Sequence, residues 1–105
     1  MATMREKLEQ IADHYGYDAQ ARQLMEESAE LTVALNKEWR SREGYLACDN
    51  KEARQNIIEE IADVEIMLEQ IQYLMGCKHE VFLVKMKKTD RQMERMKASG
   101  ESVSM

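Results

Sequence analysis

The chain has 105 residues, one domain's length, and would bury about 65% of its unfolded surface if it folds alone. Proline is absent, glycine occurs four times and aromatics are 6% of residues, too little turn chemistry and ring content for a β-rich fold. A net charge of −5 argues against nucleic acid as a partner, and no apolar run reaches transmembrane length. An all-α protein is what remains. The N-terminal residues enter a charged amphipathic helix and contain no signal-peptide core, and Cys48 and Cys77 match no metal or redox spacing. Free thiols and a cytoplasmic location are the expectation.

Four helices are predicted in chain order. The first begins after Thr3, which with Glu6 forms a capping box, carries Leu8, Ile11, Ala12 and Tyr15, and ends before Gly16. Asp18 is the candidate cap of a second helix that runs to about Trp39 or Arg40, with an apolar stripe of Ala21, Leu24, Ser28, Leu31 and Leu35. A loop from Ser41 to Asn50 contains Gly44, and Asp49 with Glu52 offers another capping box. In the third helix Ile57, Ile61, Val64, Leu68, Ile71 and Met75 alternate steps of four and three, a seam expected to pack on other helices. Gly76 stops it. A fourth helix from about Lys78 to Lys97 carries Phe82, Met86, Thr89, Met93 and Met96 at the same spacing. Residues 1–98 thus read as a single helical domain, with a frayed tail from Ser99 to Met105.

Two carboxylate pairs stand out against this background: Glu27-Ser-Ala-Glu30 and Glu60-Ile-Ala-Asp63. With i,i+3 spacing the members of a pair lie about 60° apart on one helix surface and repel. Glu60 falls roughly 60° from the centre of the third-helix seam and Glu59 roughly 160° from it, so Glu60 borders the core while Glu59 faces water. On the second helix Glu27 borders the stripe, Glu26 opposes it and Glu30 sits between. A single such pair ordinarily belongs to a solvated acidic face. Two pairs beside strong seams on consecutive helices would bring four carboxylates into one partly desolvated space, which is costly unless a cation joins them. Hard oxygen ligands without thiolate or imidazole suit Mg²⁺, with Mn²⁺ as the alternative, rather than zinc.

At these residues the chain resembles a known family. Met25-Glu26-Glu27-Ser28-Ala29-Glu30-Leu31 followed by Glu59-Glu60-Ile61-Ala62-Asp63-Val64 looks like the Glu-x-x-Glu and Glu-x-x-Asp motifs of the MazG-like all-α nucleoside triphosphate pyrophosphatases. The likeness covers roughly residues 18 to 97, with a spacer slightly longer than many members have. It implies a four-helix antiparallel bundle, a homodimer or homotetramer with active sites near subunit contacts, and Mg²⁺ on Glu27, Glu30, Glu60 and Asp63. It also implies hydrolysis of a nucleoside triphosphate between its α and β phosphates, giving the monophosphate and pyrophosphate. Members carry a basic stretch after the second acidic pair; Lys85, Lys87, Lys88, Arg91 and Arg95 stand there. The asparagine common in that stretch is absent, and Thr89-Asp90 take its place.

The chemistry accounts for such residues. An acidic site binds a polyphosphate only through metal, which then polarises the phosphoryl oxygens and neutralises the leaving group. Glu27, beside the core, is the candidate to orient or deprotonate the attacking water. Lys85, nearest the fourth-helix seam, is the candidate catalytic cation, and Lys88 and Arg91 join it as phosphate-binding candidates. Trp39 is a candidate for stacking on the base, although a core or subunit anchor would use the same residue type. His14 and His79 read as surface or cap residues. A di-iron bundle needs a histidine three residues after a glutamate, but Ile11 and Gly76 stand three residues before His14 and His79. The rival reading is a non-enzymatic helical adaptor or oligomerisation module, supported by the third-helix seam and nine methionines.

Overall fold

The computed structural model describes residues 1–44 and 50–100. These residues form four helices and no strand: α1 (Met4–Tyr15), α2 (Tyr17–Arg42), α3 (Asn50–Met75) and α4 (Lys78–Ala98). The chain is all-α, as its composition requires. It divides into two compact units, Met1–Met75 with α1 to α3, and Gly76–Met105 with α4. No helix of the described residues is long and apolar enough to cross a membrane.

Local chemistry sets most boundaries. The Glu6 amide donates to Thr3 Oγ1 at 3.1 Å, and the Glu6 carboxylate reaches back to the Thr3 amide, completing the expected capping box. Gly16 closes α1 with φ at 85°, a conformation that favours glycine, and its amide donates to the Ala12 carbonyl at 2.8 Å. α2 follows at once, with Gly16 as its N-cap. Asp18 is therefore not the cap that its residue type suggested. It lies inside the first turn, where its charge still complements the helix dipole. α2 also continues to Arg42, past the expected end, and Arg42 pairs with Glu38 one turn back. α3 stops at Gly76, φ 64°. Asp49, Cys48 and residues 101–105 of the tail lie outside the described residues.

α2 and α3 have 26 residues each and run antiparallel. Gln20 meets Gln70, Glu30 meets Glu60 and Ser41 meets Asn50, so numbers rise along one helix as they fall along the other. α1 packs chiefly on α3, burying Leu8 and Ala12, and the Tyr73 hydroxyl donates to Asp13 Oδ2 at 2.8 Å. Ile11 and Tyr15, expected in that core, are exposed.

The faces that meet are not the most apolar ones. On α3 the buried residues are Ala53, Met67 and Gln70, while Ile61, Leu68 and Met75 of the expected seam are 41%, 42% and 59% exposed. On α2 Gln20 and Ala34 are buried, Leu24, Glu27 and Leu31 are half-buried, and Ser28 and Leu35 are exposed. Each helix is turned by roughly 80° from the orientation that its hydrophobic period favours. Two features account for the turn. Ala34 and Ala53 are short enough to let the helices approach, and the Gln20 amide donates to Gln70 Oε1 at 2.7 Å, satisfying groups that burial would otherwise penalise. Ile57, Val64 and Ile71 stay half-buried on the flank.

α4 by itself has no buried residue. Phe82 and Met86 are exposed, Met93 and Met96 half-buried, and the Thr89 hydroxyl donates back to the Lys85 carbonyl at 2.8 Å.

Candidate metal centre

The antiparallel register brings Glu27 and Glu30 of α2 against Glu60 of α3. One carboxylate oxygen from each lies within 4.8 Å of the other two. Asp63, one turn further along α3, is outside that triad, though the charge of Glu27 acts on it. Glu59 is exposed and faces away, as its wheel position requires, whereas Glu26 is exposed at the edge of the space beside Glu30 and Glu60.

Each carboxylate has a distinct environment. Gln23 Nε2 donates to Glu27 Oε1 at 2.8 Å and fixes that side chain from one turn earlier. Glu27 Oε2 and Glu60 Oε2 are buried and have no hydrogen-bond partner among the described residues. Repulsion from Glu27, followed by burial and the charge of Glu60, raises the pKa of Glu30 above the usual carboxylate range. Burial acts first on Glu60, then the charges of Asp63 and Glu27, again upward. Asp63 is raised by burial and then by Glu27. Mutual repulsion and two unsatisfied buried oxygens are the state that a divalent cation relieves, and an all-carboxylate donor set fits Mg²⁺ or Mn²⁺.

The remaining sequence candidates are distributed as follows. Trp39 is 48% exposed on α2, twelve residues beyond Glu27, or about 18 Å along the helix axis. Lys85, Lys88 and Arg91 are exposed on α4, as are Lys87 and Arg95. His14 is exposed and edge-on to Tyr15, with ring centroids 4.7 Å apart; His79 is exposed in the first turn of α4. Cys77 precedes that helix and is half-buried.

Hydrophobic periodicity missed several residues of this region. Gln20, Gln23, Gln70, Lys37 and Asn56 either join the helix contact or line the space beside the acids. A signal for part of this was available. Gln20, Glu27, Ala34 and Ser41 recur every seven residues on α2, and Ala53, Glu60 and Met67 do so on α3. These are the lines along which the helices meet, and four of their seven members are polar. Comparisons of the chain with protein-family models, with curated proteins and with solved structures find no match.

Proposed function

We propose that the chain is a Mg²⁺-dependent nucleoside triphosphate pyrophosphohydrolase of the MazG-like type. The observation that carries this reading is the convergence of Glu27, Glu30 and Glu60 from two helices within 4.8 Å, with Asp63 one turn further along α3. The buried, unpartnered oxygens of Glu27 and Glu60 add to it. In this reading the four acids hold Mg²⁺, and Mn²⁺ can replace it. When bound, the ion supplies charge neutralisation and polarisation of the phosphoryl oxygens. Glu27 has one oxygen fixed by Gln23 and the other unpartnered, the arrangement expected of a base that takes a proton from the attacking water. The water oxygen bonds to the α phosphorus, and the bridging oxygen leaves with pyrophosphate. Lys85, Lys88 and Arg91 are the proposed phosphate contacts, Lys85 foremost. The four helices complete an antiparallel bundle in a homodimer or homotetramer, for which the half-exposed flank of Ile61, Leu68 and Met75 is the supporting surface.

That same flank favours a second reading, a helical adaptor without catalysis. Metal titration separates the two. Mg²⁺ or Mn²⁺ raises the Tm of the enzyme, since a ligand that binds only the folded state stabilises it, and Glu60→Gln abolishes the rise. An adaptor shows no metal-dependent shift in either protein.

A further inference from the structure

The acid triad opens on one side of the α2–α3 pair into a groove of about 480 Å³. Glu26, Glu30 and Glu60 form its acidic end, Val33 and Ala34 give it an apolar wall, and Lys37 and Asn56 also line it. Lys37 is the one cationic side chain among the groove residues, is exposed, and forms no ion pair with any described residue. It stands two helical turns beyond Glu30 on the same face of α2, about 10 Å along the axis. Helical side chains lean toward the N-terminus of their helix, so the long Lys37 side chain has the reach to place its ammonium in the groove on the Glu30 side. Asn56 approaches from α3, one turn before Glu60.

A groove with this order of charges selects its occupant. Its acidic end repels an anion unless a divalent cation lies between them, whereas its far end attracts an anion directly. A ligand held at both ends therefore carries negative charge over an extended chain, bound through metal at one part and through an ammonium at another. A polyphosphate meets that requirement, and its length matters. With the α and β phosphates at the acids, the next phosphate is the group directed toward Lys37.

We propose that Lys37 is the specificity-determining residue that recognises the third phosphate, so that the site selects nucleoside triphosphates over diphosphates. This rests on the pyrophosphohydrolase reading. The reaction is common to both substrates: water attacks the α phosphorus and the α–β anhydride bond breaks. A triphosphate then releases pyrophosphate, and a diphosphate releases orthophosphate.

The test follows nucleoside monophosphate formation from the best of the common ribo- and deoxyribonucleoside triphosphates and from its diphosphate. Wild-type protein is compared with Lys37→Met and Lys37→Arg, each first checked for unchanged Tm. A charge-assisted contact of this kind is worth about a 10- to 100-fold change. Lys37→Met should lower kcat/KM for the triphosphate by that factor, mainly through KM, and change the diphosphate less than about twofold. Lys37→Arg should retain most of the preference. Equal losses on both substrates, or no loss on either, would overturn the assignment of Lys37 and leave the hydrolase reading intact. A folded wild-type protein that forms no monophosphate from any nucleotide would overturn both.

Discussion

Gln20 and Gln70 provide a direct measure of what holds α2 and α3 in the register that assembles the acids. Their side chains are 7% and 2% exposed, and one bond of 2.7 Å joins them. Replacing Gln70 with leucine keeps the volume but removes the acceptor, leaving the Gln20 amide buried and unpaired. That costs about 1–3 kcal/mol, offset in part by the added apolar burial, so a net loss near 1–2 kcal/mol is expected. In a domain of this size such a loss lowers Tm by about 5–15 °C. Gln20→Leu should behave alike. The double variant buries neither amide and should regain most of the loss, because replacing both partners by apolar groups is nearly neutral. Thermal and urea unfolding of the four proteins gives the coupling energy by a double-mutant cycle. Single variants as stable as wild type, or a double variant losing the sum of the single losses, would refute the pairing as the interface lock. The double variant carries a second expectation. Two leucines pin the register less specifically than a hydrogen-bonded pair, so its affinity for Mn²⁺ should fall although its stability does not.

Other outcomes follow from the same geometry. Ala53 is 3% exposed where α3 meets α2, and Ala53→Leu should cost about 1–3 kcal/mol by overpacking and weaken Mn²⁺ binding by parting Glu60 from Glu27 and Glu30, as read by unfolding and calorimetric titration. Gln23→Met removes the 2.8 Å bond to Glu27 and should lower kcat about 3- to 10-fold while the Mn²⁺ affinity changes less; an unchanged kcat would remove Gln23 from the positioning of Glu27. The raised pKa values of Glu30, Glu60 and Asp63 set a pH dependence with a definite sign. Without metal these groups favour the folded state below the ordinary carboxylate range, near about pH 4, and that contribution is lost as pH rises through their raised values. Metal binding needs them deprotonated, so the Tm difference between Mn²⁺ and EDTA should widen with pH over the same interval, and Glu60→Gln should flatten it.

Much of this molecule is legible in the order of its residues. Thr3 with Glu6, Gly16 and Gly76 fix helix ends by local hydrogen bonding and backbone freedom, and local chemistry is what a sequence displays. The i,i+3 acid pairs were legible for the same reason, since one helix suffices to place Glu27 beside Glu30. The rotation of the helices was not. Hydrophobic periodicity finds the most apolar face, whereas α2 and α3 meet along a stripe in which Gln20, Glu27, Glu60 and Gln70 alternate with small or apolar residues. Partners fifty residues apart satisfy those amides, and no local signal reports such a partner. Asp18 shows the reverse case. Its residue type suits a cap, but Gly16 already provides the break, leaving Asp18 inside the first turn. Lys37 and Asn56 became candidates only once the antiparallel register set their helices side by side.

The most direct test of the central claim is pyrophosphate release from a panel of ribo- and deoxyribonucleoside triphosphates, with Mg²⁺, with EDTA, and with Glu60→Gln. Release that requires Mg²⁺, stops in EDTA and disappears in the variant is the expected result. No release from any triphosphate by the folded wild-type protein, or equal release by Glu60→Gln, would contradict the assignment of Glu27, Glu30 and Glu60 as a catalytic metal centre.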